Sequence, residues 1–169
     1  MADKERAIRQ EILRSDPDLI ALQECPPGLA WAQNTFHGYR VVGGSYEYRG
    51  NCVALARIGI QTWPVPVPST KDGRGVPAAM VELWFNERQL IVANVHLATS
   101  MDRVKARRMQ METLVETVGP CPLIVAGDTN MRVGDDDFVE KKLGMGDVWK
   151  SCGSDIRTKW TWGTREHDG

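Results

Sequence analysis

Three short apolar runs each end in a polar side chain that can do chemistry. Leu19-Ile-Ala-Leu-Gln leads to Glu24, Leu90-Ile-Val-Ala-Asn-Val leads to His96, and Leu123-Ile-Val-Ala-Gly leads to Asp128-Thr129-Asn130. Functional groups in mixed α/β folds commonly sit where strands give way to loops. If these ends converge, they bring two carboxylates, an imidazole and an amide to one cleft. Oxygen donors with few soft competitors suit Mg²⁺ or Mn²⁺ better than zinc. One at a time, these residues are ordinary. Glu24 reads as a surface carboxylate, His96 as a hydrogen-bonded structural imidazole, and Gly127-Asp128-Thr129-Asn130 as a turn. Their recurrence after three apolar runs is what points to a site.

The elements that must position them follow from periodicity. Ala7, Ile8, Ile12 and Leu13 predict a helix over 3–14, stopped by Pro17. A short helix is expected over Leu29–Asn34. Strands are expected at 39–43, 52–57, 76–85 and 90–96, with Asn86-Glu87-Arg88-Gln89 as a hairpin turn. Pro64, Pro66 and Pro68 make a stiff extended connector that cannot sit in a central strand. The clearest helix is 103–118, with Val104, Met111, Val115 and Val118 on one face and Arg103 and Arg107 beside it. Another buried strand covers 123–126. Asp135-Asp136-Asp137 reads as a solvated helix start, favoured by the helix dipole, rather than a second metal site. Strands, helices and hairpins together argue for a mixed sheet system flanked by helices.

The basic residues have two readings. Arg103, Arg107 and Arg108 can line one bank of a phosphate groove, with Lys71 and Arg74 on the other, or they can form a solvated helix face. Trp162 is either a base-stacking surface or a core tryptophan.

Composition narrows the classes. The chain has 169 residues, a formal net charge of −1 and 25% charged residues, so it lacks the strongly basic character of a duplex-coating domain. One core-bearing domain is expected from this length. The apolar runs are too short for a membrane helix, and the charged start is unlike a secretory signal. Cys25, Cys52, Cys121 and Cys152 are scattered, with no Cys-x-x-Cys and no ligand spacing to His37, His96 or His167. They read as reduced thiols of an intracellular protein.

Leu22-Gln23-Glu24, Asn94-Val95-His96-Leu97 and Gly127-Asp128-Thr129-Asn130 resemble, in order and spacing, motifs of the endonuclease/exonuclease/phosphatase superfamily. Further segments are similar to its tyrosyl-DNA phosphodiesterase branch. They are Pro68-Ser69-Thr70-Lys71 with Arg74, Arg107 with Gln110, Asp128 to Arg132, Asp147-Val148-Trp149 and Thr161-Trp162-Gly163-Thr164. The resemblance implies a four-layered α/β sandwich of the DNase I-like type. It also implies Mg²⁺-dependent phosphodiester hydrolysis in DNA repair, by a monomer acting on a single-stranded DNA 5′ end that carries a tyrosyl adduct. In a eukaryote it implies the nucleus.

On that resemblance Glu24 holds the metal, and Asp128 orients or deprotonates the attacking water. Asn130 and His96 contact the phosphate, and Arg132 lies near the phosphate or leaving group. Trp162 and Thr164 wall the groove for the single strand, and Arg74 and Arg107 join the substrate-binding set. Three departures stand out. Ala98 replaces a glutamate common after His-Leu. No strand ending in asparagine precedes the first helix. No Ser-Asp-His closes the chain, and His167 lacks that context. The sandwich is therefore expected to be incomplete: one domain over 1–169 without its first strand and last segment. Two other readings remain, another nuclease or phosphoesterase of the superfamily and a catalytically dead nucleic-acid-binding module.

Overall fold

The computed structural model describes residues 2–26, 29–44, 52–100, 103–135 and 137–155. Its contacts fall into two compact units, Met1–Asn130 and Met131–Gly169.

The first unit contains α1 (Ala2–Ser15), β1 (Leu19–Leu22), α2 (Leu29–Thr35), β2 (Tyr39–Gly44), β3 (Val53–Arg57), β4 (Thr62–Val65), β5 (Ala78–Phe85), β6 (Arg88–His96), α3 (Val104–Val118) and β7 (Leu123–Asp128). The strands form two sheets, ordered β1-β3-β2 and β4-β5-β6-β7. All pairs are antiparallel except β6 and β7, which are parallel and joined through α3.

Strand alternation sorts residues between the layers. In the first sheet Ile20, Val53 and Leu55 face outward, where Ile12 and Leu13 of α1 and Leu29 and Trp31 of α2 pack on them. The inward residues Ala54 and Ala56 meet Ala79 and Val81 of the second sheet. These side chains are small, and β2 adds Gly43 at a bulge. A Cβ on Gly43 would already touch β5, 3.4 Å from the Met80 carbonyl oxygen, so the two sheets lie close together. The opposite face of the second sheet carries Met80, Ile91 and Ala93, which are also buried. Two facing sheets with helices packed outside the first agree with the α/β sandwich that the resemblance implies.

Several expectations need adjustment. Pro64 lies inside a strand, but β4 is an edge strand, where a missing N–H is tolerated. The hairpin turn is tighter than expected. Asn86 and Glu87 both have positive φ (48° and 62°), and β6 begins at Arg88. That is the two-residue turn whose twist matches antiparallel strands. β7 runs two residues further than expected, to Asp128. In α1, Ile8 is exposed while Ile12 and Leu13 supply the packing. The buried face of α3 is Arg107, Gln110, Met111, Thr113, Leu114 and Val118, so Met111 and Val118 lie on it as expected while Val104 and Val115 flank it half-buried.

The second unit holds a 3-10 turn (Val133–Asp135), a π-helical turn (Phe138–Lys142) and α4 (Val148–Ser151), whose N-cap Asp147 accepts from Trp149 N at 2.8 Å. Asp135 was expected to be solvated but is buried, and its carboxylate accepts from Arg132 N at 3.2 Å. Asp137 is exposed and pairs with Lys141 at 2.9 Å. Among the described residues, no helix is long and apolar enough to cross a membrane.

Candidate active site

The second sheet delivers His96 and Asp128 together. They are register partners at the ends of parallel β6 and β7, so their side chains leave the same face. His96 Nε2 lies 3.9 Å from Asp128 Oδ2. His96 is almost wholly buried, whereas the Asp128 side chain is 54% exposed. The imidazole is therefore a fixed group and the carboxylate an accessible one. The buried His96 Nδ1 has no hydrogen-bond partner among the described residues.

The same face carries Asn94, two residues before His96, and Asn94 joins the sheets. It is 1% exposed. Its Nδ2 donates to the carbonyls of Leu22 and Val53, both at 2.9 Å, and its Oδ1 accepts from Gln23 Nε2 at 2.5 Å. Those contacts hold the end of β1 against the strand that carries His96, and the exposed Glu24 follows directly after Gln23. Gly127 completes the junction. With φ of 110°, it passes so close that a Cβ would lie 2.4 Å from the Val95 carbonyl oxygen, 2.8 Å from Asn94 Oδ1 and 2.9 Å from Gln23 Nε2.

Two non-glycine residues here adopt left-handed backbone conformations, Glu24 (φ 54°) and Asn130 (φ 50°). Such conformations are uncommon, and for a glutamate they are held only by surrounding structure. At Asn130 the support is visible. Its N–H donates to Asp128 Oδ1 at 3.0 Å, and its Nδ2 donates to the Leu97 carbonyl at 2.9 Å. An amide nitrogen carries two hydrogens, and the bond to Leu97 uses one of them. Leu97 N in turn donates to the Asp128 carbonyl at 2.9 Å, which locks the two strand ends together.

Arg107 is corrected by the structure. Expected on a groove wall, it is 0% exposed. Its Nη1 donates to the carbonyls of Ala98 (3.2 Å) and Ser100 (2.8 Å), while Gln110 Oε1 accepts from Ala98 N at 3.1 Å. Both side chains fasten the turn that follows His96. This explains why polar residues occupy the centre of the buried face of α3. Arg74 and Arg103 both line a cavity of about 420 Å³, with Asp72, Ala98, Met109 and Gln110. Asp72 is held below the usual carboxylate range, chiefly by the Thr70 hydroxyl, and it pairs with Arg74 at 3.4 Å. Lys71 lies 3.9 Å from Glu116. Arg132 belongs to the second unit, and Trp162 and Thr164 fall outside the described residues.

The donor set fits a hard divalent ion. Glu24 and Asp128 are exposed carboxylates. The nearby thiols are the wrong partners, because burial pushes Cys25 up to about 11 and Cys52 up to about 12, leaving both protonated. Among the described residues no group of three or more His, Cys, Asp or Glu is placed to cage a metal. Mg²⁺ needs no such cage, since it keeps several waters and takes one or two carboxylates together with substrate phosphate.

The profile described as "Endonuclease/Exonuclease/phosphatase family" matches residues 1–168. Tyrosyl-DNA phosphodiesterase 2 of Bos taurus is 28% identical over 177 residues, covering 98% of this chain and 47% of that protein. The Homo sapiens protein of the same name is 26% identical, covering 98% and 48%. The chain thus spans about half the length of these relatives. Among solved structures, D. rerio TDP2 complexed with single-strand DNA product superposes with a TM-score of 0.70 at 22% identity, covering 95% of this chain and 67% of that one. The human Nocturnin catalytic domain with bound sulfate superposes with a TM-score of 0.67 at 17% identity, covering 96% and 70%. These likenesses establish the DNase I-like fold.

Proposed function

Because the chain belongs to the endonuclease/exonuclease/phosphatase family, we propose that its β1–β6–β7 edge is a metal-assisted phosphodiester hydrolase site, acting on a single-stranded DNA 5′ end with a tyrosyl adduct. The observation that carries this reading is the pairing of His96 with Asp128 across parallel strands, with Asn130 tied to the same turn. The substrate class is supported by the names of the relatives and by the single-strand product held by the D. rerio protein.

The roles follow from charge and exposure. Hydrolysis in line places a growing negative charge on the leaving oxygen. Glu24 would hold a divalent ion such as Mg²⁺, which when bound would supply Lewis-acid neutralisation of that charge. Asp128 is an accessible carboxylate on a rigid strand end, so it orients a water and accepts its proton. The second hydrogen on Asn130 Nδ2 and the His96 imidazole are fixed donors for non-bridging oxygens, already oriented by the fold. Arg74 adds positive charge along the approach of the strand. Arg132, Trp162 and Thr164 are proposed, on the family resemblance, to bind the phosphate and the strand beyond it. DNA repair is the process in which such an adduct is removed.

The test is release of tyrosine from a 5′-phosphotyrosyl oligonucleotide with and without Mg²⁺. It is run on this chain and on the chain with the residues that flank it in its natural coding sequence. Metal-dependent release that Asp128→Asn abolishes supports the reading. Release of phosphate from small phosphoesters alone would assign another chemistry of the family. DNA binding without hydrolysis by either protein would leave a binding module.

A further inference from the structure

A second cleft lies between α1 and α2, on the outer face of the first sheet, with a volume of about 270 Å³. Arg6 and Arg9 line one side, and Trp31, Asn34 and His37 the other. Arg9 precedes Ile12 and Leu13 by three and four positions, so it sits on the stripe of α1 that packs inward. That position explains why its Nε is buried, and among the described residues this atom has no hydrogen-bond partner. A guanidinium cannot shed its charge, so a buried N–H of this kind calls for an acceptor. Across the cleft, Trp31 is braced edge-on by Phe36, with ring centroids 6.4 Å apart and planes at 83°. A flat ring held beside two arginines joins a stacking surface to anion donors, the pairing that binds nucleotide units. Asn34 and His37 add further polar atoms. Among the described residues, Glu5 is the one acidic side chain lining the cleft.

We propose that this cleft binds a nucleoside monophosphate unit, free or as one residue of a single strand, with its phosphate on Arg6 and Arg9 and its base against Trp31. An acidic peptide would satisfy the arginines and leave the indole unused, so the nucleotide is the better match. The inference does not depend on the hydrolytic reading of the β6–β7 edge.

The test is calorimetric titration in EDTA, which separates this cleft from a site that needs a divalent ion. The probes are adenosine monophosphate, adenosine, inorganic phosphate, a short oligothymidylate and a glutamate-rich peptide. The monophosphate is expected to bind, with adenosine and phosphate each weaker by about tenfold or more. Arg9→Gln is expected to weaken it about tenfold, and Glu5→Gln to strengthen it. Loss of the same Arg9 effect on the oligonucleotide would assign the free nucleotide, and its retention the strand. The unsubstituted protein supplies a second measurement, because the monophosphate must shift the Trp31 indole N–H resonance. The proposal is overturned by an unmoved Trp31 signal, by unchanged affinity in a folded Arg9→Gln protein, or by tighter binding of the acidic peptide.

Discussion

Gln23 donates to Asn94 across the gap between the two sheets, at 2.5 Å, and this hydrogen bond holds the β1 end against the strand that carries His96. Asn94 also satisfies the carbonyls of Leu22 and Val53, so its amide is used on both ends inside the protein. Asn94→Leu keeps the approximate volume and strands three polar groups. The expected loss is about 3 kcal/mol or more. It would be read as a lower denaturant midpoint at an unchanged slope. A midpoint within error of the parent would remove Asn94 from this role.

Gly127→Ala is the complementary change. The added Cβ meets the Val95 carbonyl and the Gln23–Asn94 pair, and φ of 110° is unsuited to alanine. A loss of about 2–3 kcal/mol is expected, in the range of backbone strain at such sites. Calorimetric unfolding checks it.

Arg107 and Gln110 act on the turn after His96 rather than on substrate. Gln110→Leu leaves Ala98 N–H without its acceptor, and Arg107→Met leaves the Ala98 and Ser100 carbonyls without that donor. Faster hydrogen exchange is expected at Ala98 for Gln110→Leu, with α3 exchange little changed. Exchange unaltered at Ala98 would contradict the arrangement.

For the proposed hydrolysis, Asp128→Asn preserves shape and the backbone contact while removing the proton acceptor. A rate loss of about 10²–10⁴-fold is expected, the usual span for a positioned general base. The measurement is tyrosine release under saturating Mg²⁺, and a loss below tenfold would assign the base elsewhere.

The buried thiols set an alkaline limit. Burial raises Cys25 to about 11 and Cys52 to about 12 from an ordinary value of 9.0. A folded-state value above the unfolded one gives stability that is complete below about pH 9 and is lost as pH rises toward 11–12. Unfolding midpoints should fall across that window, and Cys25→Ser with Cys52→Ala should flatten the fall. At pH 8 a thiol reagent should label exposed Cys152 first and spare the buried pair.

Much of this was legible from residue order. The strand ends at Glu24, His96 and Asp128 could be read because buried strands are apolar by necessity, so a polar residue at their end stands out. The residue pattern alone reached a mixed sheet system flanked by helices, and the layered sandwich came from the family resemblance. Other features depend on tertiary contact. Nothing local in Arg-Arg-Met-Gln distinguishes a solvated arginine from Arg107, whose place is decided by carbonyls seven and nine residues away. The left-handed conformations of Glu24 and Asn130 are likewise imposed from outside the segment. Asn94 left a readable trace, an amide in the middle of Ile-Val-Ala-Asn-Val, but not its three partners.

β7 is hydrogen-bonded on one side only among the described residues, and within it Ile124 is 46% exposed. An apolar strand with a row of open N–H and C=O groups is a template for another strand. Handling therefore sets its own condition. Where that edge stays open, concentrating the protein is expected to drive edge-to-edge association through β7, and a charged residue at position 124 should raise the concentration at which it stays monodisperse.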